Sequence, residues 1–329
     1  MADGPRLRLF KTARFFVFQH YFGEPRNEFK LQTNETACSK EVAQDRDGRD
    51  STAAPPSSRF PPTTKAYMFD TYTMASEAKF LGVVEDDEQG PAILLDETIF
   101  HPQGGGQPSD EGTITCGSIT VKIRTVRDFS GVIHHFCEAV SGSSSLLKQP
   151  GQPVSLALDS AKRLRHAALH SAGHAVDKAI VEAVGTGIFS PLKGYHFEDS
   201  PYVEYKGALP GHMDKETFIE RVNRELDKIV TADVATTVQF VPGEHGASAA
   251  PSSGEGGTGA TGGGGGGGGR AGGGKNGMAT RIVAVAGLSC PCGGTHVRST
   301  KELQGVRVTK IKAKKGTLRV SYSLVSPSS

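Results

Sequence analysis

The chain has 329 residues, of which 36 % are hydrophobic and 22 % charged, enough for about two domains at roughly 100–200 residues each. A net charge of +2 excludes a protein that coats nucleic acid by bulk charge and leaves room for a local basic patch. The five cysteines are odd in number and scattered from Cys38 to Cys292, which excludes a disulfide framework and fits a reducing compartment; no apolar stretch approaches the roughly 20 residues of a membrane span.

Residues 1–64 show no sustained periodicity. Arg6, Arg8, Lys11 and Arg14 stand against a single acid, Asp3, in the first twenty residues. That basic, acid-poor pattern suits an organelle transit peptide; a disordered extension or a misplaced start is the other reading. The protein is expected in the cytoplasm, or in a mitochondrion or plastid if residues 1–64 are a transit peptide. Short β-rich runs follow at 78–84, 92–100, 112–116, 119–126 and 132–136, punctuated by Gly, Asp and Ser, and predict a small barrel-like domain over 65–155. Asp159 caps a helix over 160–184 that Gly185 stops, with Leu164, Ala168, Ala172, Val176 and Ile180 as its apolar stripe. A strand at 202–205 precedes a second helix, capped by Asp214 and carrying Phe218, Ile219, Val222, Leu226 and Ile229. A strand at 236–241 comes next. Residues 244–279 are low in complexity and hold an unbroken glycine run from Gly262 to Gly269. They read as a flexible segment, either a linker or an insertion. Strands at 281–286, 306–312 and 318–324 complete the chain, the last two as a hairpin turning at Lys315-Gly316. The expected class is α+β: a small N-terminal β-barrel-like domain, then an α/β two-layer domain over 156–329.

Two motifs carry chemistry. His170-Ser-Ala-Gly-His174 lies in the first helix, where a spacing of four sets both imidazoles on one face. His166 extends that row by a turn. No Glu follows His170, so the metalloprotease motif lacks its general base. Cys292-Gly-Gly-Thr-His296 sets a thiol and an imidazole on one tight loop. Alone, the first motif is commonly a surface coincidence and the second is weak. Together, three His and one Cys make a sound tetrahedral set for one zinc ion: His170, His174, Cys292 and His296.

These paired motifs resemble those of alanyl-tRNA synthetase editing domains and the free-standing AlaX editing proteins. A third stretch, His101-Pro-Gln-Gly-Gly-Gly-Gln107-Pro-Ser-Asp-Glu-Gly112, resembles that family's glycine-rich signature. Lys193-Gly-Tyr-His196-Phe with Val203-Glu-Tyr205 is similar to its larger free-standing members. The resemblance covers about residues 65–325 and departs from the family at His101, where Tyr is common, and in the glycine tract. It implies that both zinc motifs share one domain, which makes the tract an insertion. It also implies hydrolysis in trans of the ester joining Ser or Gly to tRNA(Ala), with the tRNA acceptor end as partner, no DNA or membrane, and a monomer or weak oligomer. Thr98 is the candidate contact for a serine hydroxyl, against an ordinary strand threonine. Gln103 and Gln107 are candidates to present N–H groups to the terminal adenosine or its phosphate, against a tight structural turn. Lys193 and His196 are candidate lining residues. Lys310, Lys312, Lys314, Lys315 and Arg319 concentrate charge for a tRNA backbone, against a solvated face. Four protein ligands close a tetrahedron; whether Cys292 leaves, the shell expands, or zinc only orients substrate stays open. The alternative is a non-catalytic, zinc-stabilised tRNA-binding module.

Overall fold

The computed structural model describes residues 59–137, 149–242 and 279–325, all within a compact unit running from Ala54 to Ser329. The expectations for residues 1–58 and for most of the glycine tract lie outside the described residues. Of residues 59–64, expected in the extension, Thr63 is buried against the barrel: it donates its N–H to Gly131 O (2.9 Å) and its hydroxyl to Leu95 O (3.3 Å).

Alternating apolar residues build the first half. A two-residue strand β1 (Thr64–Lys65) leads into β2 (Ala75–Asp86), β3 (Gly90–Leu95), β4 (Glu97–Thr98), β5 (Gly112–Cys116), β6 (Ile119–Phe129), β7 (Val132–Cys137) and β8 (Pro153–Leu158). Six of these close a barrel in the order β2-β3-β7-β6-β5-β8, which leaves no free sheet edge. Inward side chains such as Phe80, Ile93, Ile114, Ile123, Ile133 and Leu156 fill it. The run expected at 92–100 breaks at Asp96, whose carboxylate accepts the Lys79 N–H, and resumes as β4 in parallel pairing with β1. Strand β8 was not expected, and it is the closing strand: it pairs with both β2 and β5, and runs across the anticipated boundary at 155/156.

Helix α1 (Ser160–Val184) starts where Asp159 accepts the Lys162 N–H and ends at Gly185. Its stripe differs from expectation at the start: Ala172, Val176 and Ile180 are buried, Ala168 is half-buried, and Leu164 faces solvent. Arg163 takes the buried position instead. Its guanidinium, fully enclosed, pairs with the Asp110 carboxylate and donates to the Thr71 and Ile99 carbonyls. Strands β9 (Ser190–Tyr195) and β10 (Tyr202–Lys206) come next, then α2 (Lys215–Thr231), β11 (Thr237–Val241), β12 (Thr280–Val285), β13 (Leu288–Pro291), β14 (Val306–Lys314) and β15 (Thr317–Leu324). They form a sheet of order β14-β15-β10-β9 and another of order β11-β12-β13. Phe218, Val222, Leu226 and Ile229 of α2 face one core with Val176, Val283 and Val320, each side chain contributing roughly 1.5–3 kcal/mol. Every pairing outside β1–β4 is antiparallel, and the two helices of the second half pack on its antiparallel sheets. The turn between β14 and β15 falls at Lys315 and Gly316, both with positive φ (46° and 75°), as a tight hairpin requires. No helix among the described residues is long and apolar enough to cross a membrane.

Candidate metal centre

Two separated pieces of chain meet at one point. Helix α1 brings His170 and His174, one turn apart. The loop after β13 brings Cys292 and His296. Their ligand atoms all lie within 4.8 Å of one another. The Cys292 Sγ is 3.6 Å from His170 Nε2 and 3.3 Å from His296 Nε2. Ligand bonds of about 2.0–2.3 Å around a tetrahedral ion give edges of roughly this length, so the donor set fits a transition-metal ion. His174 Nε2 is buried without a hydrogen-bond partner, as a ligand nitrogen should be.

The outward nitrogens are held in turn. His170 Nδ1 donates to Gln107 Oε1 (2.7 Å), and His296 Nδ1 meets Ser171 Oγ (3.1 Å), which also accepts the Val297 N–H. His174 Nδ1 has Cys290 Sγ at 3.5 Å and the Asp177 carboxylate at 4.0 Å. With Nδ1 occupied, Nε2 is left as the lone pair that faces the centre, the usual division of labour around a ligating imidazole. Burial, followed by mutual repulsion among the rings, keeps His170 and His296 well below the ordinary imidazole pKa. Burial pushes His174 down to about 4. All three are therefore neutral, the form that ligates. Burial pushes the Cys292 thiol up, while the Gly294 N–H and the Arg281 charge pull it down.

The loop is held by close contacts. A Cβ at Gly294 would sit 2.2 Å from the His170 ring, so the second glycine of the motif lets the backbone reach the helix. Arg281 on β12 donates to the Cys292 and Gly294 carbonyls (2.6 and 3.0 Å) and to Met68 O (2.8 Å). Sequence reasoning missed Arg281 and Arg163, because a lone Arg in a strand or a first helical turn carries no spacing signal.

The other expected site residues fall in different places. Gln107 is fully buried. Its Oε1 also accepts the Thr295 N–H and its Nε2 donates to Thr295 Oγ1, so it joins the glycine-rich loop to both metal motifs. The N–H groups of Gln103 and Gln107 are bonded to Val126 O and Gly104 O, the tight-turn reading. Thr98 is enclosed in the barrel region, where its hydroxyl donates to His135 Nε2 (2.8 Å) and accepts the Phe100 N–H. Lys193 lies on the exposed side of β9, paired with Glu204 at 3.4 Å. Arg319 is paired with the same carboxylate at 2.7 Å. His196 does reach the centre: it is buried, with its ring stacked on His170 at 4.6 Å. His166 is half-buried one turn before His170, outside the cluster.

The family model described as "tRNA synthetases class II (A)" matches residues 23–162, and that described as "Threonyl and Alanyl tRNA synthetase second additional domain" matches residues 280–320, which include Cys292 and His296. The alanine–tRNA ligase of Korarchaeum cryptofilum is 27 % identical over 279 residues, 82 % of this chain but 27 % of the ligase. The alanyl-tRNA editing protein AlaX-M of Methanosarcina barkeri is 27 % identical over 269 residues, 80 % of this chain and 99 % of that protein. AlaX-M of Methanosarcina acetivorans is 25 % identical with like coverage. The chain thus spans about a quarter of the ligases it matches and nearly all of the shorter relatives. It is therefore similar to alanine–tRNA ligases over part of their length, and AlaX-like over nearly the whole of the AlaX-M proteins.

Proposed function

We propose that the chain is a zinc-dependent aminoacyl-tRNA hydrolase that removes Ser, and Gly, from mischarged tRNA(Ala). The observation that carries this reading is the convergence of His170, His174, Cys292 and His296 on one point in a chain that resembles editing proteins over 80 % of its length. Zinc suits three imidazoles and a thiolate better than a hard, oxygen-seeking cation does. When bound, it supplies Lewis acidity to the ester or a polar substituent of the substrate. The chain's own residues do the rest. Gln107 and Ser171 orient two of the ligand rings, and Arg281 sets the carbonyls of the ligand loop while favouring the Cys292 thiolate by its charge. The chemical gain is selectivity. A synthetase pocket rejects the added hydroxyl of Ser poorly, whereas a second site can recognise it.

The acceptor end of tRNA(Ala) is the proposed partner, and the exposed Lys310, Lys312 and Lys314 of β14 are the candidates to meet its phosphates. A division of the chain after β8, a monomeric or weakly oligomeric state and a cytoplasmic or organellar location belong to the same proposal. A second reading, a structural zinc site in a tRNA-binding module, is favoured by one observation: four protein ligands fill a tetrahedron and leave no open position. One assay separates the two. The purified protein is incubated with tRNA(Ala) charged with Ser, Gly or Ala, and deacylation is followed. Release of Ser with Ala spared supports the hydrolase, and tight binding without release supports the module. Zinc well below one per chain in untreated protein removes both.

A further inference from the structure

Among the described residues, His196 is an imidazole that stacks on the cluster without belonging to it. Its ring lies nearly parallel to that of His170, at 21° and 4.6 Å. Space for it is cut from three elements. A Cβ at Gly173 of α1 would sit 2.5 Å from His196 Cε1, and one at Gly194 of β9 would sit 2.3 Å from its Nε2. A Cβ at Gly106 of the glycine-rich loop would sit 3.2 Å from His196 Cδ2, and the Gly106 carbonyl accepts the His196 N–H at 2.8 Å. Such a fit, in which backbone from three places makes way for one ring, fixes its position.

Its protonation pattern is fixed too. Tyr322 OH lies 2.9 Å from Leu169 O, and a carbonyl can only accept, so the Tyr322 proton goes there. The Tyr322 oxygen then has only lone pairs for His196 Nδ1, 2.7 Å away. Nδ1 must carry the hydrogen. In a neutral imidazole that leaves Nε2 as an acceptor. No described residue bonds Nε2, and it is not among the enclosed atoms that lack a partner, so it stays reachable. Nothing in the fold needs a histidine to end in an unengaged acceptor next to a metal ligand.

We propose that His196 presents Nε2 as a fixed hydrogen-bond acceptor to an N–H or O–H of the aminoacyl ester, and that Tyr322 is the positioning residue that locks it in that form. The inference rests on the hydrolase reading given above. The donor is either the α-ammonium group, shared by all aminoacyl esters, or the hydroxyl found on Ser alone.

Imidazole 15N spectroscopy of the zinc-loaded protein, combined with kinetics, tests it. His196 should show a protonated Nδ1 and a bare Nε2. A non-hydrolysable 3′-seryl-amido-adenosine should shift Nε2. Tyr322→Phe should admit the other tautomer and lower kcat/KM about tenfold, the worth of one hydrogen bond to a polar or charged group, with zinc content unchanged. His196→Asn keeps a donor for Tyr322 but has no atom at Nε2. It should lose as much as His196→Ala, which also guards against a misfolded Tyr322 variant. Equal loss on Ser and Gly esters identifies the ammonium, and loss confined to Ser identifies the hydroxyl. A protonated Nε2 in the wild type, or full activity in His196→Asn, overturns the proposal. If the wild type cleaves no ester, the hydrolase reading fails, while the analogue still decides whether Nε2 receives the aminoacyl group: a shift upholds the inference, and binding without one ends it.

Discussion

Each histidine of the cluster turns one nitrogen toward the centre and the other toward a partner, and the strongest partner is Gln107. Replacing Gln107 with Ala leaves His170 Nδ1–H and the Thr295 N–H without an acceptor in a closed space. Metal affinity should fall about 10–100-fold, read by competition with a chromogenic chelator. An unchanged affinity would show that the glutamine only packs. The four residues of the cluster were legible in the sequence because two spacings of four encode a helix face and a tight loop. The role of Gln107 was not, because its carbonyl meets a helix and a loop that lie 63 and 188 residues further along the chain. Thr98 carries a related ambiguity. A threonine entering a signature loop is indistinguishable in sequence from one facing a barrel histidine.

Helix α1 shows what element-level patterns do and do not contain. Its caps, length and most of its stripe follow from Asp159, Gly185 and a period of four. Arg163 defeats the pattern, since a hydrophobic count cannot see a cation buried against Asp110. Breaking that pair by Arg163→Met strands an enclosed carboxylate and should cost about 3–5 kcal/mol, measured as a lower urea midpoint. Gly173 gives a test of sign. Gly→Ala in an exposed helix interior stabilises by up to about 1 kcal/mol. Here the added methyl meets the wedged His196 ring, so Gly173→Ala should destabilise by about 1–3 kcal/mol; a raised melting temperature would mean that the ring moves freely. Strand β9 was missed because its residues alternate neither in burial nor in polarity, its pairing with β10 being all that holds it. Strand β8 was legible, since Val154, Leu156 and Leu158 alternate inward, but its six residues run straight into the helix cap.

Across the whole molecule, buried neutral histidines make stability depend on pH. Burial pushes His101 and His135 down to about 4, against about 6.5 in an unfolded chain. Between those values the unfolded state binds more protons. Stability should therefore fall as pH drops from about 6.5 to about 4, by about 1.4 kcal/mol per pH unit for each such histidine, and level off above that window. Urea midpoints at pH 7, 6 and 5 in metal-free protein check the sign. The insertion is also a question at this scale. Val241 and Thr280 face each other across β11 and β12, so residues 242–279 only connect two strand ends that already meet. Replacing them with a short Asn-Gly turn should keep metal content and raise stability by about 2 kcal/mol from loop entropy.

That same pairing has a consequence for the chain cut in two. A break anywhere between residues 243 and 278 leaves a larger fragment holding the barrel, both helices, His170 and His174, and a smaller one holding Cys292 and His296. The smaller fragment would rejoin by laying β12 on β11 and β15 on β10. Neither piece alone owns more than half of the donor set. Zinc would therefore act as the joining reagent: the split protein should assemble when the ion is supplied and come apart when a chelator removes it.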